Sequence, residues 1–239
     1  MFGQIGNSDG RQITNGSNIG FIRGDHLPDS FLKSGNKTIK YKHINGTPYI
    51  NNKQELKYDI PIGKLFTSRN EYVNTFFMRY NAFNDNIELS LIDDGINYYL
   101  LEKKPNSWYL TLGANKYRAY QYILKKEMTV GFFVILSESD TLNYSLLKKE
   151  KVIFKDETKE KSSFVSYTPA EFKKGKSAYY LKVEEKLSKV PRKQKDFLKL
   201  FHQKKEELKA FIKKNKYSIP DESDLIAIIS YYNTIIVDN

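Results

Sequence analysis

Residues 72–93 read YVNTFFMRYNAFNDNIELSLID, and the alternation within them decides the fold class. Val73, Thr75, Phe77 and Arg79 alternate with Tyr72, Asn74, Phe76, Met78 and Tyr80, the two-residue period of a pleated strand rich in aromatic and β-branched side chains. Asn81, Asn84, Asp85 and Asn86 break the pattern, because short polar side chains bond their own backbone and tolerate turn geometry. Ile87, Leu89 and Leu91 then resume it against Glu88 and Ser90. The segment is predicted to be a β-hairpin with a polar connection.

Beyond it, strand-like segments at 98–101, 107–112, 117–124, 129–136, 143–148 and 177–183 are separated by Asp94-Gly95, Pro105-Asn106, Gly113-Ala114-Asn115 and Ser139-Asp140. Short strands at such spacing predict antiparallel pairing in a meander, a sandwich or a small barrel. Residues 131–136, GFFVIL, are apolar throughout, so both faces of that strand should be covered. Before the hairpin, 38–66 is short and broken. Asn45-Gly46 signals a turn there, and Pro48 and Pro61 confine any strands to edges or corners. The mixed charge of 148–176 reads as a solvated loop or a long hairpin tip.

After Pro191 the period lengthens. Phe197, Leu200 with Phe201, Leu208, and Phe211 with Ile212 recur at helical spacing, which predicts one amphipathic helix over 192–216. Ten basic residues lie in that span against Asp196, Glu206 and Glu207, a surplus of +7. Asp221, Glu222 and Asp224 then open a second helix, 223–236, at its positive end. The fold class expected is α+β: mainly antiparallel β with a C-terminal two-helix hairpin. Its organisation is a glycine-rich arm over 1–35, an antiparallel β domain over 36–190, and a helical hairpin over 191–239 packed on the sheet.

With 239 residues the chain can bury roughly 70% of the surface its unfolded form exposes. It carries 18 Tyr and 15 Phe, as sheets do, and a net charge of +11 that suits an acidic partner or surface. The absence of cysteine excludes disulfides, thiolate metal sites and thiol catalysis. His26, His43 and His202 lack the spacing of a zinc site, and the early glycines do not precede the Lys-Ser/Thr of a phosphate loop, so no metal or cofactor is expected. Asp93-Asp94 can be read as a carboxylate pair for acid/base or sugar hydrolysis, but adjacent acidic residues before Gly95 read as turn formers. The contact candidates are Lys199, Lys204, Lys205, Lys209, Lys213 and Lys216 on the basic helix, with Arg11 and Arg23 on the arm. Lys almost entirely replaces Arg on that helix and no aromatic-rich RNA-binding motif is present, which disfavours nucleic acid.

Residues 45–51 (NGTPYIN), 78–88 (MRYNAFNDNIE), 179–182 (YYLK) and 211–216 (FIKKNK) together resemble a widespread family of exported Bacteroidetes cell-envelope proteins to which no catalytic residues are assigned. The resemblance spans about 44–232, and Arg79-Tyr80-Asn81-x-x-Asn84-Asp85 is its most specific part. It implies a removed export signal, of which Phe2-Gly3-Gln4 would be a remnant, and a periplasmic or envelope location. It also implies a non-enzymatic role as an accessory of an outer-membrane complex, by analogy with a protein that closes the periplasmic end of a secretion channel. The alternatives are a polyanion or nucleic-acid binder acting through the lysine-rich helix, and a hydrolase with loop carboxylates.

Overall fold

The structure, a computed structural model, describes residues 21–23, 33–34, 37–38, 44–50, 62–90, 99–138, 144–158 and 166–237. In chain order the strands begin with β1 (Phe21–Arg23), β2 (Lys33–Ser34), β3 (Lys37–Thr38), β4 (Ile44–Asn45), β5 (Tyr49–Ile50) and β6 (Ile62–Thr67). They continue with β7 (Tyr72–Asn81), β8 (Asn86–Ser90), β9 (Tyr99–Leu101), β10 (Trp108–Leu112), β11 (Asn115–Leu124), β12 (Glu127–Ser137) and β13 (Ser145–Lys149). Last come β14 (Val152–Lys155), β15 (Ala170–Lys174), β16 (Ala178–Val183) and β17 (Lys186–Lys189), then helices α1 (Gln194–Phe197), α2 (Lys205–Asn215) and α3 (Glu222–Val237). The chain is mainly antiparallel β with a C-terminal helix pair, as the sequence predicts. Its internal contacts divide it into two units, Met1–Ala114 with Lys151–Gly175, and Asn115–Glu150 with Lys176–Asn239.

In the first unit the predicted hairpin is β7 and β8, in register at Met78↔Leu89, Arg79↔Glu88 and Tyr80↔Ile87. Its connection turns through Asp85 at φ 61°, a left-handed position that a short polar side chain tolerates. β6 pairs with the other edge of β7, β10 pairs with β6, and β9 with β8, all antiparallel. The alternation buries Leu65, Met78, Tyr80, Ile87, Leu89 and Leu110. Gly63 on β6 is required by this packing: a Cβ there would lie 2.7 Å from Met78 Sδ and 3.0 Å from the Thr111 carbonyl oxygen.

The stretch 148–176, read as a solvated loop or a long hairpin tip, forms a hairpin at its ends. β14 and β15 pair antiparallel, and β15 takes β4 as a parallel neighbour. Phe83, Phe154 and Phe172, all half-buried, meet there with centroids 4.9–6.4 Å apart, an aromatic cluster that joins these strands to the β7–β8 connection. Residues 159–165 lie outside the described residues, as do most of the expected arm, residues 51–61 of the short and broken stretch before the hairpin, and the turns expected at Asp94-Gly95 and Ser139-Asp140.

In the second unit β11 pairs with β12, β12 with β13, β13 with β16 and β16 with β17, all antiparallel. Phe132 and Phe133 on β12 are both fully buried, so the apolar run is covered on both faces. One face is an edge-to-face cluster of Tyr120, Tyr122, Phe133 and Tyr180 with Leu147. On the other, Leu146 and Leu181 join Phe197, Phe201, Leu208, Ile212, Ile219, Leu225, Ile228, Ile229 and Tyr232 from the helical region. At about 1.5–3 kcal/mol gross for each buried side chain, this face holds the helices far more firmly than helix propensity does. No helix among the described residues is long and apolar enough to cross a membrane.

The single helix expected over 192–216 is corrected to two. α1 passes into a 3-10 turn, Leu198–Leu200, then Phe201 is extended at φ −105° and ψ 137°, and Lys204 is left-handed at φ 53° before α2 begins. Tertiary packing decides the break. Phe201 stacks on Tyr144 at 6.1 Å and meets Tyr232 edge-on at 4.5 Å, a position that the break at 201–204 serves. α3 is capped by Asp221, whose Oδ1 accepts the backbone N–H of Ser223 and of Asp224 and the Ser223 hydroxyl. These bonds, the Ser223 hydroxyl first, hold the Asp221 carboxyl below its ordinary pKa.

Candidate anion-binding groove

The break in the predicted helix builds a concave surface. α1 and its 3-10 turn supply Gln194, Lys195, Leu198 and Lys199, and α2 with its exit supplies Lys205, Glu206, Lys209, Ile212, Lys213, Lys216 and Tyr217. The groove between them holds about 720 Å³. Lys205, Lys209 and Lys213 are spaced four residues apart and therefore stand in one row along α2, with Lys216 a turn further on. Ile212 is buried and Leu198 and Tyr217 are half-buried, so the floor is apolar and the rim cationic.

Six lysines line this groove against one carboxylate, Glu206. Lys209 Nζ is 3.3 Å from Glu206 Oε2, and Lys199 Nζ is 2.7 Å from Asp196 Oδ1. The Lys199 ammonium, through that hydrogen bond and its charge, holds the Asp196 carboxyl below its usual range. Lys195, Lys205, Lys213 and Lys216 have no ion-pair partner among the described residues. Like charges at i, i+4 repel one another, as Lys205, Lys209 and Lys213 do along α2, and with Lys195 acting on Asp196 only through its charge, this rim beside an apolar floor constitutes a surface that an anion would stabilise.

Of the residues the sequence singles out, the structure brings together Lys199, Lys205, Lys209, Lys213 and Lys216. It sets Lys204 apart, paired with Glu207 at 3.2 Å. Arg11 and the side chain of Arg23 lie outside the described residues, as do His26, His43, Asp93 and Asp94. His202 is exposed in the bend between α1 and α2. Sequence reasoning missed Lys195 as a contact and the apolar floor, which exist as a site only because the chain folds back at Phe201.

The Arg-Tyr-Asn-x-x-Asn-Asp segment has a different use. Glu88, fully buried, receives hydrogen bonds from Arg79 Nε at 2.7 Å, Tyr49 OH at 3.1 Å and Asn81 Nδ2 at 3.1 Å. The Arg79 guanidinium also sits 4.1 Å over the Tyr49 ring, and Asn81 Oδ1 accepts the backbone N–H of Phe83 and Asn84. Both Glu88 oxygens are occupied by donors from β5 and β7, so the carboxylate ties β5 to the hairpin. No group of three His, Cys, Asp or Glu side chains among the described residues could hold a metal ion.

In its class the molecule is an antiparallel β protein with a C-terminal helix pair that carries a lysine-rimmed groove. No protein-family model, curated protein or solved structure matches the chain.

Proposed function

We propose that the protein is a non-enzymatic binding protein whose lysine-rimmed groove docks an acidic segment of a partner protein. The observation that carries this reading is the pairing of chemistries in one place: unpaired ammonium groups at Lys195, Lys205, Lys213 and Lys216 around the apolar Leu198, Ile212 and Tyr217. An amphipathic acidic segment satisfies both, with its carboxylates on the rim and its apolar side chains on the floor. Lysine ammonium groups attract carboxylate and phosphate alike as point charges, and it is the apolar floor of Leu198, Ile212 and Tyr217, which a phosphate backbone would leave unfilled, that favours a protein segment. The setting we propose is the cell envelope, with an outer-membrane assembly as the partner, on the resemblance of residues 45–51, 78–88, 179–182 and 211–216 to exported envelope proteins.

Titration of the full chain with a labelled peptide of alternating Glu and Leu helical faces tests the reading. Binding to the wild type should weaken steeply with salt, and the triple variant K205E/K213E/K216E should lose at least about tenfold in affinity. Equal affinity in wild type and variant would contradict it.

A further inference from the structure

The longest hairpin of the second unit ends in an apolar tip. Ile123 is 62% exposed, Leu124 49% and Met128 66%, and all three lie within three residues of the β11–β12 turn. The register places Ile123 opposite Met128, so these two share one face, while Leu124 falls on the face of Tyr120 and Tyr122. β13 pairs with β12 only from Val134 onward, so among the described residues none pairs with 127–131 on that side. Among the described residues the apolar tip is thus two-sided and uncovered on its β12 edge.

The turn itself is Lys125-Lys126, with φ 51° and 73°. Both positions require the left-handed region, where Asn-Gly is the ordinary occupant of a two-residue hairpin turn. Two lysines there place two cations at the apex, one residue from exposed Leu124, at the expense of backbone strain. Glu127 is the single acidic side chain at this end of the hairpin.

We propose that the tip of the β11–β12 hairpin inserts into the interface of an anionic lipid bilayer. Ile123, Leu124 and Met128 enter the boundary between headgroups and acyl chains, and Lys125 and Lys126 reach the acidic headgroups through their flexible stems. A protein groove covers one side of a ribbon, whereas a lipid interface surrounds a protruding tip on both, and the placement of apolar side chains on both faces favours lipid. This surface is separate in sequence and in elements from the groove of α1 and α2.

The test uses the full chain and vesicles of phosphatidylcholine, with and without one-third phosphatidylglycerol. Leu124→Trp should shift its emission to the blue on the acidic vesicles and be quenched by brominated lipid, while buried Trp108 contributes a constant background. Ile123→Ser with Met128→Ser should lower partitioning by about tenfold or more, and K125E/K126E should lower it by on the order of tenfold. All of these side chains are exposed, so the fold is retained, as circular dichroism would verify. The groove variant K205E/K213E separates the two surfaces: Leu124→Trp in that background should still shift. Vesicle binding without an emission shift, binding indifferent to the paired serine substitutions, or a shift abolished by the groove variant would each overturn the proposal, as would a tip that binds only protein.

Discussion

Arg79 Nε donates to Glu88 Oε2 at 2.7 Å across directly paired positions of β7 and β8, and the Glu88 side chain is wholly out of water. A charge so placed is tolerated because every donor around it is aimed at it. Taking one partner away leaves the other buried and uncompensated, which is far more damaging than the net worth of the pair.

Accordingly, Arg79→Met should destabilise the protein by about 3 kcal/mol, and Glu88→Gln by less, since the amide still accepts from Tyr49 or Asn81. Urea unfolding of both single variants and the double variant measures the coupling. If the double variant is no more stable than the sum of the single losses predicts, the pair is not coupled as described.

Gly63→Ala should cost about 1–3 kcal/mol, because the added methyl meets Met78 Sδ and the Thr111 carbonyl, and only the first of these can move. Combining it with Met78→Ala should relieve part of the clash while opening a cavity. A thermal melt of Gly63→Ala unchanged from wild type would show that β6 and β10 sit further apart than the register implies.

Tyr179 OH donates to Glu222 Oε2 at 2.9 Å, and Lys148 Nζ reaches the same oxygen at 2.8 Å, tying β16 and β13 to the first turn of α3. Burial first, then the Glu222 carboxylate, raises the Tyr179 pKa well above its ordinary value near 10. A phenol whose folded pKa is raised stabilises the fold fully below the unfolded pKa, and that stability is lost as pH rises through and beyond it. Between about pH 9 and 12 the wild type should therefore lose stability more steeply than Tyr179→Phe. Parallel denaturant midpoints across that range would refute the assignment.

The hairpin at 72–90 was legible because both of its signals are local, the alternation along β7 and the Asn and Asp residues of its connection. The break at 201–204 was not. Phe197 and Phe201 stand at i, i+4, which suits a continuous helix, and the chain turns away because Tyr144 and Tyr232, distant in sequence, hold the Phe201 ring. Phe154 and Phe172 were hidden in the same way, in a charge-rich stretch and 18 residues apart until β14 and β15 bring their ring centroids within 4.9 Å. The lysine row of α2 could be read from spacing alone, whereas its opposing wall, Lys195 with Leu198, depends on the fold-back that only tertiary packing dictates.

The groove is tested most directly by lysine footprinting. Mild acetylation of the full chain should modify Lys195, Lys205, Lys213 and Lys216 readily, and saturation with the acidic amphipathic peptide should protect these four while exposed Lys125 and Lys126 stay reactive. Protection spread evenly over surface lysines, or no protection at the four groove positions despite bound peptide, would contradict the assignment of this groove as the docking site.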